Sequence, residues 1–236
     1  MNSALNVAKF GGTSVATYET MCNCAKIIAS NQNTRVVVVS ASAGITNHLV
    51  ALANTALTSQ QNEEIVEKIK TIELAIVGKL KKPEQINDKL NVLLTELTEL
   101  AKHEEINFRD DLKDALVSMG ERMSSLLFSA VLREFDVPAT NFDVRKVLRT
   151  DSLFTQAAPD LSVIRQLSQS LLQPELDSSV IVTQGFVGAD EQGRTTTLGR
   201  GGSDFTAALL AEALDAQTCE IWTDVIGVYT TDPRIT

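Results

Sequence analysis

The chain opens with a short apolar stretch, Leu5 to Phe10, that runs into Gly11 and Gly12. Met21, Cys24, Ile27 and Ile28 then recur at helical spacing between about Thr17 and Ser30. Arg35 to Ser40 holds four consecutive valines, too short and too β-branched for a helix, with both faces apolar as in a parallel strand covered on two sides. The pattern therefore predicts an opening βαβ unit.

From Thr46 to about Arg133 the strand signal fades and helical stripes take over. Ile65, Ile69, Ile72 and Ile76 form one, Leu90, Leu93, Leu94 and Leu97 a second, and Leu112, Leu116, Met119 and Met123 a third. Lys81-Lys82-Pro83 separates the first long helix from the next, because proline removes a donor and restricts its predecessor. A helical lobe over about 59–134 is expected.

Strands return at Ala139 to Phe142, Val180 to Thr183 and Glu220 to Thr223, alternating with helices from Pro159 to Gln173 and from Ser203 to Leu214. Asp190-Glu191-Gln192-Gly193 supplies turn chemistry within Phe186 to Leu198, which predicts a hairpin on the edge of the sheet. The fold class is α/β, a three-layer αβα sandwich with a mostly parallel central sheet and a helical insertion.

Composition narrows the function. At 236 residues one well-buried domain is feasible, and 44% apolar with 22% charged residues is the balance of a soluble globular chain. No uninterrupted apolar run reaches the roughly 20 residues of a membrane span, and MNSALNVAKF lacks a secretory signal, so the chain reads as cytoplasmic. The net charge of -9, without a basic cluster, argues against nucleic acid and requires any polyanion to be held by local donors. Cys22 and Cys24 do not face each other on a helix and Cys219 is remote, which argues against a disulfide framework or zinc site.

Four segments carry chemistry. Lys9-Phe10-Gly11-Gly12-Thr13-Ser14 ends the first strand, where open α/β sheets bind ligands; alone it fits a plain turn as well as a phosphate cradle. Gly199-Arg200-Gly201-Gly202-Ser203-Asp204 precedes a helix, so its amides and Arg200 suit a carboxylate or phosphate, while Asp204 alone fits a helix cap. Thr223 to Arg234 offers Asp224, Tyr229 and Arg234 for metal or ribose, adenine and phosphate, or simply a hairpin. Ser40 to Asn47 is a hydroxyl-rich loop that could equally cap a helix. Glu121, by itself, reads as a solvent-facing acid, and His48 and His103 as surface residues. No P-loop, protein-kinase loop or dinucleotide fingerprint occurs.

Together and in order, these segments resemble the amino-acid kinase family, and within it the lysine-sensitive aspartokinases. Gly120-Glu121, Phe142-Asp143-Val144-Arg145, Thr183-Gln184-Gly185-Phe186, Thr195 to Asp204 and Trp222 to Arg234 add to the match, which spans essentially the whole chain. The stretch from about Ser59 to Asp110 resembles the family only in general character.

The resemblance implies that residues 1–236 form a C-terminally incomplete catalytic domain that transfers the ATP γ-phosphoryl group to the L-aspartate side chain, with magnesium as cofactor. Lys9 and Asp204 would be catalytic, with Gly11 and Gly12 at the transferring phosphate. Ser40, Ala41, Thr46, Glu121 and Arg200 would bind aspartate, with Glu121 on its ammonium and Arg200 on its α-carboxylate. Thr223, Asp224, Tyr229 and Arg234 would surround the nucleotide, and no protein metal site is implied. A homo-oligomer is compatible with the resemblance. Because the family continues past position 236 into a further nucleotide-binding lysine and lysine-sensing domains, the expectation is aspartate binding with weak ATP affinity, little activity and no lysine inhibition. The alternatives are a kinase for glutamate, acetylglutamate or carbamate, or a binding or assembly module without catalysis.

Overall fold

The structure, a computed structural model, describes residues 5–223. Five strands form one sheet: β1 (Asn6–Phe10), β2 (Thr34–Val39), β3 (Ala139–Phe142), β4 (Val180–Gln184) and β7 (Thr218–Trp222). They are all parallel, in the order β3-β4-β2-β1-β7. The chain winds outward from β1 to one side and returns at β7 on the other, so the direction of winding switches at β1, where a crevice opens beyond the strand C-termini.

Among the described residues eight α-helices cover the two faces: α1 (Tyr18–Ser30), α2 (Ile45–Asn54), α3 (Ser59–Val77), α4 (Asn87–Ala101), α5 (Asp110–Val117), α6 (Met119–Glu134), α7 (Leu161–Leu167) and α8 (Gly202–Ala213). Strand alternation divides the core. Ala8, Phe10, Val37 and Val39 join the side chains of α1 to α6 on one face, while Val7, Val36, Val38 and Ile181 join those of α7 and α8 on the other. This is the expected three-layer sandwich. The lobe is a helical layer rather than a separate body, since its stripes merge with the sheet in one core.

Local chemistry starts two of the helices, α1 and, in the lobe, α3. Thr17 and Thr58 form capping boxes with Thr20 and Gln61, and Pro83 opens a short 3-10 turn between α3 and α4. The α5–α6 stretch, Asp110–Glu134, is long and apolar enough to cross a membrane, yet 83% of its most apolar part is buried inside the fold, as in a core helix.

Two expectations need correction. The hairpin of β5 (Val187–Ala189) and β6 (Thr195–Thr197) is a two-stranded sheet of its own, antiparallel, and not an edge of the main sheet. Its outer partner is the Arg149–Thr150 segment, through an Arg149–Ala189 bridge, and Asp190 closes its turn by accepting from the amides of Gln192 and Arg194. The helix expected from Pro159 starts at Leu161 instead, because Asp160 caps it by accepting from the amides of Ser162 and Val163; beyond Leu167 it loosens to a π-turn over Ser168–Leu172.

Candidate active site

A cleft of about 290 Å³ lies beyond the C-termini of β1 and β2, lined by Lys9, Ser40, Thr46, Glu121, Phe186 and the segment Gly199 to Asp204. A larger hollow of about 1050 Å³ lies elsewhere, around Arg149, Asp151, Asp160 and Glu191. The chemistry converges on the smaller one.

Alternation along β1 places Lys9 on the face of Val7, the face covered by α8. Its ammonium reaches across to Asp204 in the first turn of α8, with Nζ to Oδ1 at 2.7 Å. Lys9 is largely buried and Asp204 half exposed. Asp204 therefore does not cap the helix. The cap position is Gly201, at φ +79° and without a side-chain cap; the Gly202 amide donates to the Gly199 carbonyl, while the Ser203 and Asp204 amides are left without a side-chain cap. The α2 helix starts in the same way, after Gly44 at φ +89°.

The two glycines after β1 do different jobs. A side chain on Gly11 would meet the Lys9 ammonium at 3.7 Å, so Gly11 borders the cation. At Gly12 a Cβ would lie 2.8 Å from the carbonyl oxygen of Ala41, and the Ala43 amide donates to the Gly12 carbonyl. Gly12 thus docks the β1 loop against the Ser40 to Asn47 loop.

Glu121 is 6% exposed, contrary to its reading as a solvent-facing acid. It sits on α6, which packs directly on the sheet and is buried along nearly its whole length. Burial pushes its carboxyl up to about 7, while the Ala41 amide, donating to it, favours the charged form. Gly120 allows the approach, because a Cβ there would come 2.6 Å from the Cβ of Ala41. Two serines on the next turn complete the support. Ser124 donates to the Ser40 carbonyl at 2.7 Å, and Ser125 accepts from the side-chain Nε2 of Gln184 at the end of β4.

Arg200 and Thr46 are exposed at the rim, Ser40 is half-buried, and Ala41 is buried behind it. Phe186 takes a left-handed backbone, φ +70°, that a bulky residue rarely adopts; its amide donates to Thr206 and its ring closes against Gly202. In the sequence Phe186 stands within a motif that assigns it no role, and Ser124 and Ser125 are marked there only as two hydroxyls inside an otherwise apolar stripe. Thr223 follows β7 directly, on the Gly11 side of the cleft. Asp224, Tyr229 and Arg234 lie outside the described residues. Among the described residues no cluster of three His, Cys, Asp or Glu could hold a metal ion.

A parallel sheet whose switch point gathers a lysine–aspartate pair, a buried glutamate, an arginine and two uncapped helix starts is suited to holding and reacting small anions. The Amino acid kinase family profile matches residues 4–236, and the chain belongs to that family. It is 51% identical over 233 residues to the lysine-sensitive aspartokinase 3 of Escherichia coli (strain K12), covering 99% of this chain and 52% of that protein. It is 35% identical to the aspartokinase of Chlamydia trachomatis serovar D, covering 97% and 51%. The solved structure of E. coli aspartokinase III with aspartate and ADP superposes with a TM-score of 0.93 over 98% of this chain and 52% of that one. The chain thus spans about half the length of the curated relatives it matches.

Proposed function

We propose that this chain is the aspartate- and ATP-handling part of an aspartate kinase, transferring the γ-phosphoryl group of ATP to the side-chain carboxylate of L-aspartate. The observation that carries the reading is that Lys9, Glu121 and Arg200, far apart in sequence, line one cleft. A solved relative binds aspartate and ADP on the same fold.

Free L-aspartate brings one ammonium and two carboxylates. In this reading Glu121 takes the ammonium, which offsets the burial penalty on its charge, and Arg200 takes the α-carboxylate through its fork of donors. Ser40, Ala41 and Thr46 border the carbon skeleton. The side-chain carboxylate, with a reference pKa of about 3.9, is ionised at neutral pH and needs no general base. Catalysis then reduces to alignment and charge neutralisation. One carboxylate oxygen forms a bond to the γ-phosphorus as the bond from that phosphorus to the β,γ-bridging oxygen breaks, giving β-aspartyl phosphate and ADP. Lys9, the Gly11 amide and the open amides of α8 face the charge that spreads over the phosphoryl oxygens, and Asp204 fixes the lysine.

Magnesium would arrive with the ATP phosphates. The single half-exposed carboxylate of Asp204 fits an ion that keeps most of its ligands from nucleotide and water. Bound there, magnesium would neutralise charge on the transferring phosphate. Thr223, and in sequence Asp224, Tyr229 and Arg234, are assigned to the nucleotide.

The reading is tested by incubating the chain with MgATP and hydroxylamine, which traps an acyl phosphate as a coloured hydroxamate. Slow hydroxamate formation with L-aspartate, and none with N-acetylglutamate, is expected. Product with acetylglutamate instead, or no stabilisation of the fold by aspartate in a thermal shift, overturns it.

A further inference from the structure

Glu73 lies on α3, in the helical lobe, and is fully buried. Both of its carboxyl oxygens lack a hydrogen-bond partner, and so does the hydroxyl of Ser42, which is equally buried. The two face each other: the Ser42 hydroxyl is near enough to favour the charged form of Glu73, without the geometry of a formed hydrogen bond. A buried acid whose oxygens form no hydrogen bond costs about 1–3 kcal/mol. Its position is what distinguishes it.

Ser42 is the neighbour of Ala41, and this short segment is tied at every other point. Ala41 donates its amide to Glu121 and packs its carbonyl against Gly12, Ser40 receives a hydrogen bond from Ser124, and the Ala43 amide bonds Gly12. Glu73 faces this loop from α3, which neither lines the cleft nor contributes to the sheet.

We propose that Glu73 is a positioning residue: its carboxyl engages the Ser42 hydroxyl and fixes the 40–44 backbone that holds Glu121 ready for a ligand ammonium. Hydrogen bonds that position a site are often long without ligand and tighten in the complex, which accounts for the unformed contact. The part of this inference that concerns aspartate rests on the function proposed above, whereas the part that concerns the loop does not.

Amide hydrogen exchange over residues 40–45, with calorimetry of L-aspartate, tests it on the chain and its Glu73→Gln and Glu73→Leu variants. Glu73→Leu is expected to speed exchange in that segment about tenfold and weaken aspartate binding about tenfold, with an unchanged or higher Tm. Glu73→Gln, which keeps a group able to bond Ser42, is expected to restore both to within about twofold. Equal exchange in all three proteins overturns the inference, as does loosening that appears only together with a fall in Tm, since that is the mark of a merely structural residue. If the parent binds no aspartate while loop exchange responds as expected, the positioning role stands and the functional reading falls.

Discussion

The ammonium of Lys9 lies 2.7 Å from Oδ1 of Asp204, joining the end of β1 to the first turn of α8 across the mouth of the cleft. An ion pair with one half-exposed partner contributes little to stability, on the order of 1 kcal/mol or less. Its value is in placement. Replacing Lys9 by Ala is expected to lower acyl phosphate formation at least ~10²-fold, the scale seen when one donor to a developing anion is removed. The Tm should move by only about 2–4 °C. Asp204→Asn should retain more activity than Lys9→Ala, because the lysine keeps its charge. Hydroxamate assays and thermal melts of the two variants check this, and a Lys9→Ala protein with undiminished rate removes the lysine from the chemistry.

Gly120 and Ala41 touch where α6 passes the substrate loop. An alanine inside a helix normally gains about 1 kcal/mol over glycine. Here its Cβ would sit 2.6 Å from the Cβ of Ala41 and 3.2 Å from side-chain atoms of Ile45 and Leu49. A backbone-fixed methyl cannot rotate away, so the loop must shift, at a cost of about 1–3 kcal/mol that outweighs the helix gain. Gly120→Ala is expected to lower the Tm by a few degrees and weaken aspartate binding more than tenfold. Calorimetry beside a melting curve separates the two effects, and unchanged affinity shows that the loop accommodates the methyl.

Much of this was legible in the sequence because the signals were local. The valine run of β2, the stripes of the lobe and the glycines around Arg200 each state their structure within a few residues. The burial of Glu121 was not, because a single acid in a helix carries no mark of which face it occupies. Only the Ser40 to Asn47 loop, arriving from a strand some 80 positions earlier, encloses it. Glu73 was silent for the same reason, placed as it is in a helix whose isoleucine stripe accounts for α3 without it. The β5–β6 hairpin was read correctly as a hairpin but assigned to the wrong sheet, since turn chemistry specifies pairing within a hairpin and says nothing about its outer neighbour.

Burial pushes the Glu73 carboxyl up to about 8, so between the ordinary carboxylate range and that value the folded chain holds a proton that the unfolded chain has released. Stability from this group therefore falls as pH rises from about 4.5 to 8, and is flat on either side. Glu73→Gln removes the titration. Its stability relative to the parent should grow with pH, by on the order of 3 kcal/mol between pH 5 and 8.5. Urea unfolding of both proteins at the two pH values measures the difference directly. A constant gap would mean that Glu73 ionises normally in the fold.

Glu121, inside the cleft that Glu73 does not line, titrates for a different purpose. Its carboxyl stands at about 7 in the free chain because burial outweighs the backbone hydrogen bonds from Ala41 and from Glu121 itself. A ligand ammonium beside it favours the charged form, so binding must expel the proton whenever the carboxyl holds one. Aspartate affinity is therefore expected to rise with pH up to about 7 and then level off, opposite in sign to the stability trend of Glu73. At pH 6, binding should release close to one proton, read as a dependence of the calorimetric heat on the ionisation enthalpy of the buffer. Glu121→Gln should abolish that release and weaken binding at pH 8 by about 2 kcal/mol or more, the scale of a lost charge-assisted hydrogen bond. Proton release that persists in Glu121→Gln would assign the ammonium to another acid and leave Glu121 a supporting role under the loop.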